Sequence, residues 1–177
     1  MLEIKEGRKE QLKITVLGAG SNTLIRDEGI KGVVIKLGPN FSKIELINEN
    51  TIQVGAATLD RKISNFAKEN GIGNLEFLSC IPGSIGGAVI MNSGCYGCDI
   101  SKVLTSITVI DVQNCTEKQI PREDIDFFYR GTNLPSNLII TAVKLKGTAT
   151  DKQLIEKKQL QMLEPVSYTH LTLPTKA

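Results

Sequence analysis

Two glycine-rich stretches give this 177-residue chain its clearest capacity for chemistry. The first is "LGAGSN", Leu17–Asn22. Gly18 and Gly20 carry no side chains, so an anion can approach the backbone, and successive N–H groups in such a turn form an anion-binding concavity. Ser21 and Asn22 add neutral donors. A plain tight turn is the alternative reading. The second stretch is "IPGSIGGA", Ile81–Ala88. Pro82 is suited to the first position of a helix, where the helix carries partial positive charge. Gly83 gives the loop freedom, and Gly86 and Gly87 open or cross a short apolar segment that begins at Ala88. Close helix packing through Gly86 and Gly87 is compatible with an anion site. Two such loops in one small domain suit a diphosphate, as in a dinucleotide.

The first loop is not a Rossmann turn. That fingerprint requires G-x-G-x-x-G opening a helix, with an acidic residue about 20 positions on. Here Thr23 occupies the third glycine position, and "TLIRDEGIKGVVIKL" has β-rich segments and turn glycines where the crossover helix belongs.

Around these loops the patterning predicts α+β architecture with mostly antiparallel pairing, because strands mostly follow strands. Residues 2–12 read as a helix. "KITVL", "TLIRD", "GVVIKL", "SKIELIN", "TIQVGA", "VLTSITVID" and "LIITAVKLKG" read as strands, about seven, with a return strand near "CTEKQI". The Asn48–Asn50 stretch predicts a hairpin turn. "TLDRKISNFAKENG" has helical spacing, with Leu59, Ile63, Phe66 and Ala67 on one face, Thr58 as N-cap and Gly71 as stop. "DKQLIEKKQLQML" reads as a charged amphipathic helix.

Composition excludes several classes. A net charge of +2 is too small and too scattered for nucleic-acid binding. No apolar run is long enough to span a membrane, and the charged start lacks the apolar region of a secretion signal, so a cytoplasmic location is expected. The four cysteines, Cys80, Cys95, Cys98 and Cys115, offer one isolated C-x-x-C. They read as reduced thiols, with no metal site expected. The Thr-rich stretch 166–177, which holds the sole histidine, His170, fits no element and resembles a translated sequencing adapter. It is treated as non-native.

In order and spacing, "VLGAGSNTLIRDEGIKGVVIKL", "LEFLSCIPGSIGGAVIMNSGCYG" and "FFYRGTN" resemble the UDP-N-acetylenolpyruvoylglucosamine reductase family, over about residues 13–165. The block at 75–97 is the most specific part. The resemblance implies an FAD-binding PCMH-type (vanillyl-alcohol oxidase-like) fold. It implies FAD bound non-covalently and reduced by NADPH, and hydride transfer to UDP-N-acetylglucosamine enolpyruvate, giving UDP-N-acetylmuramate for peptidoglycan. It also implies roles for single residues. Gly18, Ala19, Gly20, Ser21 and Asn22 would contact the flavin diphosphate, and Pro82, Gly83, Ser84, Gly86, Gly87 and Ala88 would line the other side. Asn92, Gly94, Tyr96 and Gly97 would lie near the cofactor. Arg130 would be the active-site arginine, and Tyr129 would help position substrate.

The chemistry of Arg130 agrees with that role. The substrate carries a carboxylate conjugated to the accepting double bond, and hydride addition builds negative charge towards it. A guanidinium can hold a carboxylate with two parallel donors. The bland reading is a surface ion pair with Glu123, Asp124 or Asp126.

The chain departs from the family at both ends. Only about a dozen residues precede "VLGAGSN", and nothing matches the serine that donates the proton or the glutamate that assists it. Residues 1–165 are therefore expected to be an incomplete FAD-binding domain without its C-terminal substrate domain. Such a chain is expected to be monomeric, to expose apolar surface, to bind FAD weakly or not at all and to turn over negligibly. Another FAD-binding oxidoreductase of the same fold, or a non-catalytic nucleotide-binding module, are the alternatives.

Overall fold

The computed structural model describes residues 13–169, with side-chain surroundings through residue 164. The helix expected at residues 2–12, and His170, lie outside the described residues.

Strands β1 (Ile14–Leu17) and β2 (Val33–Lys36) form a small parallel pair with Ile14 opposite Val33. The hairpin of β3 (Ile44–Asn48) and β4 (Thr51–Gly55) follows. Its two-residue turn is held by the Asn50 N–H donating to Asn48 Oδ1 at 3.1 Å. Helix α1 (Asp60–Glu69) leads to β5 (Ile72–Gly73), a 3-10 turn at Glu76–Cys80, and α2 (Ile85–Ile90). Next come the short pair β6 (Gly94–Cys95) and β7 (Cys98–Asp99), α3 (Ile100–Val103), β8 (Leu104–Asp111) and β9 (Thr116–Pro121). The chain continues through β10 (Phe127–Phe128), β11 (Gly131–Thr132), β12 (Leu138–Lys146) and β13 (Thr148–Ala149) to α4 (Lys152–Thr169).

The main sheet has five strands in the order β3-β4-β12-β8-β9, antiparallel throughout. Sequence dictates the order. Strand β12, "LIITAVKLK", is almost continuously apolar and takes the central position. Strand β9, "TEKQIP", is charged and forms an edge, which discourages pairing with other chains. The core fills the space between sheet and helices with Ile52, Val54, Ile63, Phe77, Leu78, Ile85, Val89, Ile107, Val143 and Leu145.

Helix α4 docks through buried Ile155 and Gln159. Gln159 Nε2 donates to Ser64 Oγ at 2.7 Å and to the Ser64 carbonyl at 3.1 Å, tying α4 to α1.

Four expectations need correction. "TLIRD" is not a strand; it belongs to the loop joining β1 to β2, and Leu24 is 97% exposed. With no core against it, β-propensity there has nothing to pack on. Helix α1 is capped by Leu59, without a side-chain cap, instead of Thr58. Thr58 instead turns inward, and its carbonyl accepts from Ile85 N–H at 2.9 Å. Pro82 precedes α2, whose N-cap is Ser84. Finally, α4 runs to Thr169, into the stretch expected to fit no element. The stop at Gly71 (φ +69°) is as expected.

Candidate functional site

Strand β1 delivers Gly18–Asn22 to the wall of a cleft of about 1330 Å³, and residues 81–84 and 86–88 of the second loop line the same cleft. That volume exceeds the roughly 300–1,000 Å³ usual for a small-molecule pocket, leaving room for an extended dinucleotide.

The second loop is laid against the segment leaving β4 by a ladder of backbone bonds. Gly86 N–H donates to the Ala56 carbonyl (3.0 Å), Ile85 N–H to that of Thr58 (2.9 Å) and Asp60 N–H to that of Gly83 (3.1 Å). Leu59 and Ser84 form an isolated antiparallel bridge in the same run. This approach explains the glycines. A Cβ at Gly86 would lie 3.0 Å from Ala56 Cβ.

The two loops also touch each other. A Cβ at Gly18 would stand 2.8 Å from Ser84 Oγ, and one at Gly83 would stand 3.5 Å from Ser21 Oγ. Bare backbone on both sides is what lets the loops meet.

Of the residues expected at the site, the cleft is lined by Gly18, Ala19, Gly20, Ser21 and Asn22, and by Pro82, Gly83, Ser84, Gly86, Gly87 and Ala88. Gly94 and Arg130 line it as well. Asn92, Tyr96, Gly97 and Tyr129 are not part of this lining, and each has other contacts or exposure that account for its place. Asn92 Oδ1 accepts from Ser101 N–H at 3.1 Å, and its Nδ2 donates to the Phe128 carbonyl at 3.4 Å. Tyr96 and Gly97 form the tight turn between β6 and β7, both with positive φ as a two-residue hairpin demands. The Tyr96 hydroxyl donates to the Met162 carbonyl at 2.8 Å. Tyr129 is largely solvent-exposed.

Arg130 sits with Tyr129 at the tip of the β10–β11 hairpin. Its φ of +59° is strained for a residue with a side chain. The guanidinium lies 5.6 Å from the Tyr129 ring centroid and makes no ion pair with Glu123, Asp124 or Asp126. The structural arginine of this region is Arg122, whose Nε donates to the Ser101 carbonyl at 2.9 Å and whose Nη1 donates to that of Ile125 at 3.0 Å.

Sequence reasoning missed two features. Cys80 and Cys95, 15 positions apart, both line the cleft. Burial, then the neighbouring Cys80, push the Cys95 thiol up to about 11, so it is a poor nucleophile. The second is Asp60, the first residue of α1, which is fully buried in the cleft wall. Neither carboxyl oxygen has a hydrogen-bond partner, and burial alone raises its pKa to about 7. An acidic residue opening a helix reads as ordinary dipole chemistry; nothing local signals that the Gly83 loop covers it.

No group of three or more metal-ligating side chains gathers among the described residues. No described helix is long and apolar enough to cross a membrane.

The pattern of the family described as FAD binding domain matches residues 3–117. A UDP-N-acetylenolpyruvoylglucosamine reductase from Pelagibacter ubique is 49% identical over 158 residues, 89% of this chain and 51% of the relative. One from Rickettsia bellii is 46% identical over 78% of this chain and 45% of its own length. The chain thus spans about half the length of the curated relatives it matches. Among solved structures, UDP-N-acetylenolpyruvylglucosamine reductase from Thermus caldophilus superposes with a TM-score of 0.81 at 30% identity, over 93% of this chain and 60% of that one. A carbon monoxide dehydrogenase from Hydrogenophaga pseudoflava shares the fold alone, with a TM-score of 0.61 at 15% identity over 84% of this chain and 56% of that one.

Proposed function

The chain belongs to the FAD binding domain family, and from that premise we propose that its cleft holds FAD, with the diphosphate between the Gly18–Asn22 and Pro82–Ala88 loops. The protein it belongs to uses NADPH to reduce UDP-N-acetylglucosamine enolpyruvate to UDP-N-acetylmuramate for peptidoglycan. The reading carries with it a cytoplasmic, monomeric enzyme serving cell-wall growth, and so cell shape and division. The single observation that carries it is the contact between the two loops, Gly18 against Ser84 and Gly83 against Ser21, at the wall of one large cleft.

The residues present fit the cofactor. Gly20 and Gly87 line the cleft with nothing within 4 Å of where a Cβ would sit, leaving backbone open to a diphosphate, while Ser21, Asn22 and Ser84 add short polar side chains. When bound, the flavin supplies the hydride. Arg130 holds the substrate carboxylate with paired N–H donors and sets fixed positive charge where charge develops, a contribution on the order of 3–4 kcal/mol for a well-placed donor. Its freedom from Glu123, Asp124 and Asp126 supports that role, because an arginine already paired would bind a carboxylate less well. Tyr129, with its ring centroid 5.6 Å from the guanidinium, helps to position the substrate. Residues 1–165 are read as the FAD-binding domain and 166–177 as non-native sequence. We assign the serine that donates the proton, and its glutamate, to the part of the relatives' length that this chain does not span.

Titration of the full chain with FAD and with riboflavin, followed by flavin fluorescence, tests the reading. Saturable but weak quenching by FAD, well ahead of riboflavin, is expected, because the loops recognise the diphosphate. Equal affinity for both, or no saturation by FAD, would overturn it.

A further inference from the structure

Asp60 is the feature of the cleft that the proposed function leaves unexplained. It is fully buried at the N-terminus of the ten-residue helix α1. Both of its oxygens lack partners. A Cβ at Gly83 would lie 3.1 Å from Asp60 Oδ2 and 3.5 Å from Ser21 Oγ, so the carboxyl sits directly behind the place where the two loops meet. Asp60 itself lines the cleft. A buried carboxyl without donors is costly when ionised, and an anion held by these loops would add like-charge repulsion.

We propose that Asp60 couples dinucleotide binding in this cleft to protonation: the diphosphate binds the form in which Asp60 is neutral. This rests on the reading of the cleft as an FAD site. The neutral carboxyl removes repulsion from the floor of the anion site and leaves an O–H donor facing the junction of the loops. The ionised carboxylate opposes the ligand across Gly83.

The surrounding charges do not supply an alternative switch of this kind. The Gly18–Asn22 loop, the 56–59 segment and the 81–84 loop contain no titratable side chain. On its own helix, Arg61 and Lys62 are exposed. The other titratable groups lining the cleft are Lys13, Lys36, Cys80, Cys95 and Arg130. None of them contributes to the upward shift of Asp60, which comes from burial alone. The diphosphate of FAD is a diester whose charge does not change near neutrality, so the coupled proton has to be the protein's.

The test uses the full chain with FAD as probe, titrated from pH 6 to pH 9. Wild-type affinity is expected to fall by up to about tenfold per pH unit above about pH 7, as release of one linked proton requires. Asp60→Asn, neutral at every pH, is expected to hold the acid-side affinity across the whole range. A flat wild-type profile, or affinity that rises with pH, overturns this inference alone. Absence of FAD binding to both proteins at every pH overturns the reading of the cleft and this inference with it. Calorimetry of the wild type in buffers of different ionisation enthalpy keeps the test independent of the variant's folding. About one proton is expected to be taken up per FAD bound near pH 8, and zero uptake refutes the coupling.

Discussion

Replacing Asp60 by asparagine changes how stability depends on pH, and the size of the change follows from the site. Folded Asp60 keeps its proton to about pH 7 because burial disfavours the charged form, against 3.8 for the ordinary side chain. Between those values the folded state binds a proton that the unfolded chain has released. Raising the pH therefore favours unfolding, so the neutral carboxyl's advantage is complete below about pH 4 and lost by the time pH passes 7. A gap of roughly three pKa units at about 1.36 kcal/mol each makes ~4 kcal/mol. Relaxation around the ionised group makes this an upper figure, and loss of the helix-terminal charge subtracts only about 0.3–1 kcal/mol. Urea unfolding followed by circular dichroism at pH 4.5, 6 and 8 measures it. Relative to wild type, Asp60→Asn is expected to gain stability by several kcal/mol between the first and last conditions. Parallel profiles for the two proteins, within about 0.5 kcal/mol, would refute the claim that the carboxyl is buried without partners.

Other perturbations follow from the same packing. Gln159→Ala removes the donor from Ser64 and loosens α4 from α1, at a cost of about 1–3 kcal/mol in chemical denaturation. Gly86→Val forces side-chain atoms onto Ala56, 3.0 Å from the Cβ position, and is expected to cost about 1–3 kcal/mol and to weaken FAD binding in fluorescence titration. Arg130→Gly relieves the positive φ and leaves thermal stability unchanged or raised by up to about 1 kcal/mol. If the longer protein carries the proposed activity, the same change is expected to slow turnover by roughly 10²–10³-fold in an NADPH-oxidation assay.

The α+β class with antiparallel pairing was legible because its strongest signals are local, whereas the PCMH-type fold was legible only through the family resemblance. The apolar run of β12, the alternation of β4 and the helical spacing ending at Gly71 each specify an element without reference to the rest. The glycine loops were legible for a similar reason, since bare backbone in a turn has few uses. What escaped depends on contacts distant in sequence. Thr58 looks like a cap until the 81–86 loop arrives and takes its carbonyl. Asp60 looks like a solvent-facing acidic residue until Gly83, 23 positions later, covers it. "TLIRD" has strand composition but no partner to pair with. Cys80 looks isolated until the fold carries Cys95 to the same cleft wall.

Convergence of the two glycine loops on one diphosphate is tested most directly by amide NMR of the full chain during FAD addition. Signals from Gly18–Asn22 and from Gly83–Ala88 are expected to shift together, along a single binding curve, with the central sheet unmoved. Shifts confined to one loop, or two loops titrating with different affinities, would contradict the account.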